Sequence, residues 1–227
     1  MKTRKRIGEM ILAVLLGVML VVSANAATIT ITGFNGTYHS WGGGEFNASI
    51  NSQALFQTFC IERNESLNFN VPYNFNFSTE AQLGGLGGPD PDPISSQTAY
   101  LFTNFAKGTL VDLASHTYSS SILNDQKGLQ YALWYFEDEL VDYAANGYSS
   151  ALNFAIANGA ENWINLSNAK ANGTIYNVSV INPYVINSNS SITPKQSLLF
   201  VPEATALILF GSGLFGLIGY RRTRRMK

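Results

Sequence analysis

The 227-residue chain has few of the residues that most often carry chemistry, with one cysteine and two histidines. A single cysteine cannot form an internal disulfide bond. With so few thiol and imidazole groups, the sequence offers no set of candidate ligands for a zinc site. The chain also lacks the G-x-S-x-G pattern of serine hydrolases. We therefore predict no cofactor, no metal site and no enzymatic activity.

Charged residues are also scarce, at 13% of the chain, and they are unevenly distributed. Residues 1–26 hold four basic residues and one acid, and residues 202–227 hold five and one. The part between them, residues 27–201, has five basic and thirteen acidic residues, a net charge of −8. A domain this acidic is a poor partner for nucleic acid or for anionic lipid. We predict that it binds no nucleic acid.

The N-terminus has the three parts of a secretory signal peptide. Basic residues precede an apolar run over residues 11–22 that only Gly17 interrupts. Ala24 and Ala26 then supply the small residues of an A-x-A cleavage site. The apolar run is shorter than the ~20 residues that a membrane span needs. We predict that residues 1–26 are a signal peptide, cleaved after Ala26.

The C-terminus has an uncharged apolar run over residues 204–220, and a basic cluster follows it. A helix of this length covers about 25 Å at ~1.5 Å per residue, close to the ~30 Å of a hydrocarbon core. Cations beside a span resist export, so we predict a transmembrane helix with a cytoplasmic basic end. The alternative, a buried core helix, seldom ends the chain in a run of arginines. The basic cluster comprises Arg221, Arg222, Arg224, Arg225 and Lys227.

Val201, Pro202 and Glu203 directly precede this run. A Val-Pro-Glu sequence, a short Gly-rich apolar span and an arginine cluster together resemble the PEP-CTERM sorting signal of exopolysaccharide-producing Gram-negative bacteria. Ala204 stands where that motif has its second proline. The resemblance covers residues 201–227 and implies processing by an exosortase, a membrane protease. It implies an exported protein that is anchored in the membrane at its C-terminus and then reaches the cell surface or extracellular matrix.

Residues 27–200 are predicted to form one exported α+β domain, with antiparallel strands at both ends and helices between them. Strand patterns occupy residues 27–34, 46–61, 68–77, 174–186 and 196–201. Helical patterns occupy residues 95–107, 125–140 and 149–170, the last of them interrupted near Gly159. Pro72 indicates an edge strand, and Asn124 or Asp125 is a candidate helix cap. The Gly- and Pro-rich residues 83–93 predict a flexible loop that divides the domain.

Two short segments, 70 positions apart, match a pair of known motifs. Phe59-Cys60-Ile61-Glu62 and Leu129-Gln130-Tyr131-Ala132-Leu133-Trp134 resemble the two motifs of bacterial thioester domains, which occur on surface adhesins mainly of Gram-positive organisms. The resemblance implies that the Cys60 sulfur and the Gln130 side-chain carbonyl form an internal thioester with loss of ammonia. Trp134, one helical turn after Gln130, would shield the bond from water together with Phe59.

A thioester is a stored electrophile, because an amine displaces a thiolate readily and becomes covalently attached. The protein must keep water from the bond and still admit the partner. His39 or His116 is a possible base, although a solvated imidazole is the simpler interpretation of His116. The contrasting interpretation of Cys60 is a small buried hydrophobic residue, with Gln130 and Trp134 as ordinary helix and core residues.

The sequence therefore predicts an exported adhesive protein that captures an amine-bearing surface or exopolysaccharide. A non-reactive structural protein of the biofilm matrix is the alternative, and a carbohydrate-active enzyme is the least favoured, although thirteen acids leave paired carboxylates open. The acidic cluster at residues 137–139 and Asp142 lacks the spacing of a calcium loop. We interpret it as the solvated face of a helix.

Overall fold

The computed structural model describes residues 27–38, 43–53 and 55–202. Nine strands are present in these residues. They are β1 (Thr28–Phe34), β2 (Phe46–Ile50), β3 (Leu55–Thr58), β4 (Pro72–Ser78), β5 (Glu80–Ala81), β6 (Asp92–Pro93), β7 (Ser179–Ile186), β8 (Ile192–Pro194) and β9 (Leu198–Phe200).

Four α-helices lie between β6 and β7. They are α1 (Ser96–Ala106), α2 (Leu123–Phe136), α3 (Ala151–Ala157) and α4 (Glu161–Lys170), with a short 3₁₀ helix at Val141–Tyr143. The predicted α+β class is confirmed, because strands flank a central helical region and all the strand pairs are antiparallel. Gly159 has φ +89° and lies between α3 and α4, so the predicted interruption is confirmed as well.

The main sheet has the strand order β3-β2-β1-β4-β7-β8. Strand β9 also belongs to this sheet, because it pairs with β7. The chain just after β3 closes this sheet on itself. The amide of Leu199 donates to the carbonyl of Phe59 at 3.1 Å, and the amide of Ile61 donates to the carbonyl of Ser197 at 3.2 Å. Cys60 forms a bridge with Leu198 between these two bonds. This seam therefore places Cys60 at the junction of β3 and β9.

Helix α2 is the central helix, since it contacts α1, α3 and α4. Nine of its fourteen residues are buried, so it is apolar or internally bonded on most sides and does not have a broad solvated face. Gly128 fits this packing because a Cβ atom there would lie 2.3 Å from the carbonyl oxygen of Gly159. The burial of α2 is what brings its polar side chains into the interior.

Three local predictions are wrong. The strand that begins at Pro72 is not an edge strand, because β4 pairs with β1 on one side and β7 on the other. Pro72 is tolerated there as the first residue of the strand. Helix α2 begins with Ile122 at its N-cap and no side-chain capping bond, so neither Asn124 nor Asp125 caps it. The Asp125 carboxylate instead accepts from the Ser119 amide at 2.8 Å.

The loop over residues 83–93 was predicted to be a flexible division of the domain, but its backbone is attached to the interior. The amide of Leu83 donates to Glu62 at 3.2 Å, and the amide of Leu86 donates to Glu139 at 2.9 Å. Both carboxylates are buried. These bonds hold the loop against the seam and the end of α2.

The predicted signal peptide over residues 1–26 and the predicted transmembrane helix over residues 204–220 lie outside the described residues. No helix in the described part is long and apolar enough to cross a membrane.

Candidate functional site: a buried cysteine and glutamine

Cys60 is fully buried at the seam that closes the sheet. Its position follows from the backbone on both sides, because the neighbouring residues Phe59 and Ile61 both bond to the β9 segment. Side chains alternate along an extended chain, so Cys60 and Phe59 point to opposite sides. The Phe59 ring packs at 5.0 Å, edge to face, on Phe105 of α1.

Gln130, in the middle of α2, meets this cysteine inside the protein. The distance from the Cys60 sulfur to Gln130 Oε1 is 3.6 Å, and Gln130 Nε2 donates to the Cys60 carbonyl at 2.9 Å. Both residues have 0% exposed surface. The structure thus brings together the thiol and the carboxamide that the sequence singled out, with a hydrogen bond that fixes which way the amide faces.

A glycine pair before β2 covers Gln130. The amide of Gly44 donates to Gln130 Oε1 at 2.9 Å, so the carboxamide oxygen has a backbone N–H directed at it. At Gly43 a Cβ atom would lie 2.3 Å from the Trp134 ring and 3.2 Å from Gln130 Cδ. Only glycine allows the backbone to come this close. The run of glycines at residues 42–44 is the sequence signal for this contact, but its role was not predicted.

Trp134 is fully buried one helical turn after Gln130, as predicted from the i, i+4 spacing. The Arg63 guanidinium lies 5.7 Å from its ring centroid. The Trp134 indole N–H makes no hydrogen bond of ordinary length among the described residues. It is still close enough to the Cys60 sulfur to lower the pKa of that thiol.

The Cys60 thiol is strongly held in its neutral form. Burial raises the pKa of Cys60 far above its usual range, and the nearby acids Glu62 and Glu139 raise it further. The Trp134 N–H acts in the opposite direction but is the weaker influence. Since a thiolate is the form that oxidises and exchanges, burial protects this lone thiol.

Glu62, the acid of the Cys60 motif, has a bonding role that was not predicted from the sequence. Its carboxylate accepts from the Ser197 amide at 2.7 Å, and its backbone carbonyl accepts from Gln196 Nε2 at 3.0 Å. Burial raises the pKa of Glu62 from 4.5 to about 7. Glu62 therefore ties the Cys60 segment to the chain leading into β9.

Gln126 precedes Gln130 by one helical turn, and its bonding role was also not predicted from the sequence. Its Oε1 accepts from the amides of Thr37 and Tyr38 at 3.1 and 3.0 Å, and its Nε2 donates to the Asn35 carbonyl. Gln126, Gln130 and Trp134 form a line along α2 at i, i+4 and i+8. This line contacts residues 35–38 and 43–44, and the i, i+4, i+8 spacing was the available signal.

The acidic cluster after α2 is not a solvated helix face, so that prediction is wrong. Helix α2 ends at Phe136, and Glu137 and Glu139 are buried. Glu137 accepts from the Ser95 amide and hydroxyl at 3.1 and 2.8 Å. The Arg63 amide donates to Glu139 at 2.7 Å. The described residues contain no group of three or more metal-ligating side chains.

The remaining predicted residues lie apart from the pair or outside the description. His116 Nε2 contacts the Asp125 carboxylate at 2.8 Å, and its side chain is 43% exposed. Val201 is half-buried and Pro202 is exposed. The residues outside the described part are His39, Glu203, Arg221, Arg222, Arg224 and Arg225.

The arrangement is chemically suited to acyl transfer between two buried groups. A thiol lies beside a carboxamide whose oxygen accepts a backbone N–H, and such donors stabilise the negative oxygen of a tetrahedral intermediate. The surrounding side chains exclude water, which slows hydrolysis of an acyl product. A comparison with protein-family models, with curated protein sequences and with solved structures found no match for this chain.

Proposed function

We propose that this chain is an exported surface or matrix protein that attaches to amine-bearing partners through an internal Cys60–Gln130 thioester. The observation that carries the proposal is the buried contact of 3.6 Å between the Cys60 sulfur and the Gln130 carboxamide oxygen. This contact joins a free cysteine to a carboxamide from a segment 70 residues away, with both residues fully buried.

The reaction that forms the bond is balanced without a cofactor. The Cys60 sulfur bonds to Gln130 Cδ, the Cδ–Nε2 bond breaks, and the thiol proton leaves with the nitrogen as ammonia. Capture of an amine then forms a C–N bond at Cδ and breaks the C–S bond. A proton from the amine ends on the Cys60 sulfur, so the partner is joined to Gln130 by an amide bond.

The export part of the proposal comes from the two ends of the sequence. The signal peptide over residues 1–26 would direct the chain out of the cytoplasm. The span over residues 204–220, with its basic end, would hold it in the membrane for an exosortase-type protease. The domain between them ends at the exposed Pro202, beside the motif residues Val201 and Glu203. This order places the reactive domain on the outer side of the membrane.

The first test is the intact mass of the mature protein before and after methylamine. We expect a mass lower than the sequence mass by one ammonia, and methylamine should add to Gln130 and release the Cys60 thiol. Cys60→Ala and Gln130→Ala should each retain the full mass. Gln57→Ala is the matched control, because Gln57 is an exposed glutamine three residues before Cys60.

A mass equal to that of the sequence, with one thiol that titrates only in denaturant, would overturn the thioester. It would support the second candidate, a non-reactive structural protein of the matrix. The specific observation in favour of that candidate is the complete burial of Cys60, which raises the pKa of the thiol and makes it inert.

The export proposal has a separate test in the cells that make the protein. We expect the N-terminus of the mature chain at Ala27, and we expect the full chain in the membrane fraction. Replacing Arg221, Arg222, Arg224 and Arg225 with Asn should reduce retention in the membrane. Recovery of the unprocessed chain in the cytoplasm would contradict export without bearing on the thioester.

A further inference from the structure

Among the described residues of the Cys60–Gln130 pair and its cover, the Trp134 indole N–H makes no ordinary hydrogen bond. Trp134 has 0% exposed surface, so water does not satisfy this donor. Gln130, by contrast, has both ends of its carboxamide paired, with Gly44 and with the Cys60 carbonyl. Buried donors are rarely left unpaired in proteins. An unpaired one beside reactive groups therefore has a use that the resting state does not show.

The position of Trp134 identifies the atom that this N–H serves. Trp134 lies one turn from Gln130, and its ring and Gln130 Cδ both lie against Gly43. The atom of the ring nearest to Gly43 is Cζ2, on the edge of the indole that carries the N–H, and Gln130 Oε1 lies 3.6 Å from the Cys60 sulfur. The N–H edge of Trp134 is therefore near the pair, in agreement with its lowering of the Cys60 pKa. A neutral thiol is a weak acceptor, whereas a thiolate is a much better one.

We propose that the Trp134 indole N–H is the hydrogen-bond donor to the Cys60 sulfur when the thioester forms and opens, while the Gly44 N–H serves the carbonyl oxygen. This inference rests on the proposed function and assigns Trp134 a catalytic role beyond shielding. The two donors then divide the charge that the reaction develops. The oxygen is negative in the tetrahedral intermediate, and the sulfur is negative as it attacks or leaves.

The opening step shows why this donor matters. As the amine nitrogen bonds to Cδ, the C–S electron pair moves to the sulfur inside a buried site. Burial makes an uncompensated thiolate costly there, and Glu62 and Glu139 add repulsion. A preorganised N–H at the sulfur compensates part of that charge before a proton arrives from the amine. Among the described residues, Trp134 carries the buried N–H at this site that has no other ordinary hydrogen bond.

The test is the rate at which methylamine opens the thioester in the mature protein, followed by intact mass. Trp134→Phe removes the N–H and keeps most of the aromatic cover. We expect opening to slow by about a hundredfold, at the lower end of the loss that follows from removing one donor to a developing charge. Trp163→Phe is the control, because Trp163 is also buried but packs on Gly128 and Tyr118. Its rate should remain within about twofold of the original.

A second substitution removes the N–H without making a cavity. Benzothienylalanine at position 134 has the shape of tryptophan with sulfur in place of the indole N–H. We expect the same slowing in this variant, together with a higher pKa of the released Cys60 thiol in the pH dependence of its alkylation. The isosteric variant therefore tests the inference even if Trp134→Phe does not fold.

The outcomes separate the inference from the proposed function. If the original protein does not lose ammonia, the proposed function fails. If it does, and both variants open at the original rate or faster, Trp134 acts only as a cover and the inference is overturned. A cover alone predicts faster opening in Trp134→Phe, because a smaller ring admits the amine, and no change with the isosteric residue.

Discussion

Two neighbouring regions around α2 bury polar side chains, and they do so by different means. The Cys60–Gln130 site uses neutral groups, whose hydrogen bonds need no charge. The region after α2 buries the carboxyls of Glu137 and Glu139, which accept backbone amides from Ser95, Arg63 and Leu86. Burial raises the pKa of both acids from 4.5 to about 7. The Cys60 and Gln130 side chains stay neutral near pH 7, whereas the second region is a structural attachment whose acids titrate there.

The contrast shows that a buried polar group in this protein does not by itself indicate a reactive site. The acids have backbone donors for their oxygens, and they hold a loop and a helix start in place. The pair is different because its two side chains are chemically complementary, and because glycine and tryptophan cover it closely. The following predictions test whether the two regions can be changed independently.

The largest effect is expected from Cys60→Ala, which should abolish covalent capture completely. The reason is that no other thiol exists in the chain. The free energy of unfolding should fall by only about 1 kcal/mol, because a small buried side chain is shortened. Adduct formation with methylamine and urea unfolding measure the two quantities. If adducts persisted in this variant, Cys60 would not be the residue that forms the reactive bond.

Gly43→Ala is expected to have the next largest effect. The new Cβ atom would lie 2.3 Å from the Trp134 ring, so the ring or the backbone must move. We expect a loss of about 2 kcal/mol in the free energy of unfolding, as for other overpacked sites, and faster hydrolysis of the thioester. Gly108→Ala is a comparison that introduces no contact within 4 Å, although its φ of +66° adds backbone strain. Unchanged hydrolysis in Gly43→Ala would show that this glycine does not keep water from the bond.

Part of the pH dependence of stability should come from Glu137 in the second region, with Glu139 and Glu62, whose pKa values are also raised, contributing the rest. The pKa of Glu137 is raised in the folded state, so its contribution is fully present below about pH 4.5 and is lost as the pH rises through about 7. For a carboxyl this deeply buried, the change is about 3 kcal/mol. Glu137→Gln keeps an acceptor for Ser95 but does not titrate.

Urea unfolding at pH 4.5 and pH 8 measures this effect. We expect the original protein to lose stability over this range and Glu137→Gln to lose less of it. The amount of thioester should be the same in both proteins at either pH. An equal pH dependence in the two would mean that another group causes it.

The smallest effect is expected from His116→Ala. His116 pairs with Asp125 at the surface and is not in contact with Cys60. We therefore expect no change in the amount of thioester or in the rate of its opening by methylamine. A loss of thioester in this variant would give His116 the role of base that the sequence left open.

Much of the local structure could be predicted from the sequence because its causes are local. The alternation in residues 27–34 predicts β1, and helix α1 begins where its predicted pattern begins, with Ser95 as the N-cap. The predicted break near Gly159 follows from a left-handed backbone. These features depend on neighbours within one or two helical turns.

The errors have a common physical cause. The edge prediction for the strand at Pro72 failed because strand neighbours are set by residues more than a hundred positions away, in β7. The interpretation of Glu137 and Glu139 as solvated failed because acidity alone does not show which backbone amides are nearby. Burial depends on partners, and partners are supplied by the rest of the chain.

The sequence by itself determined the class of the domain, the order of its elements and the two residues whose chemistry is complementary. The tertiary structure decided that Cys60 and Gln130 touch, that Gly44 donates to the carboxamide oxygen, and that the buried Trp134 N–H finds no ordinary hydrogen bond among the described residues. The reason is that residue type and spacing act along the chain. The contacts at this site join three segments, 43–44, 60 and 130–134, that only folding brings together.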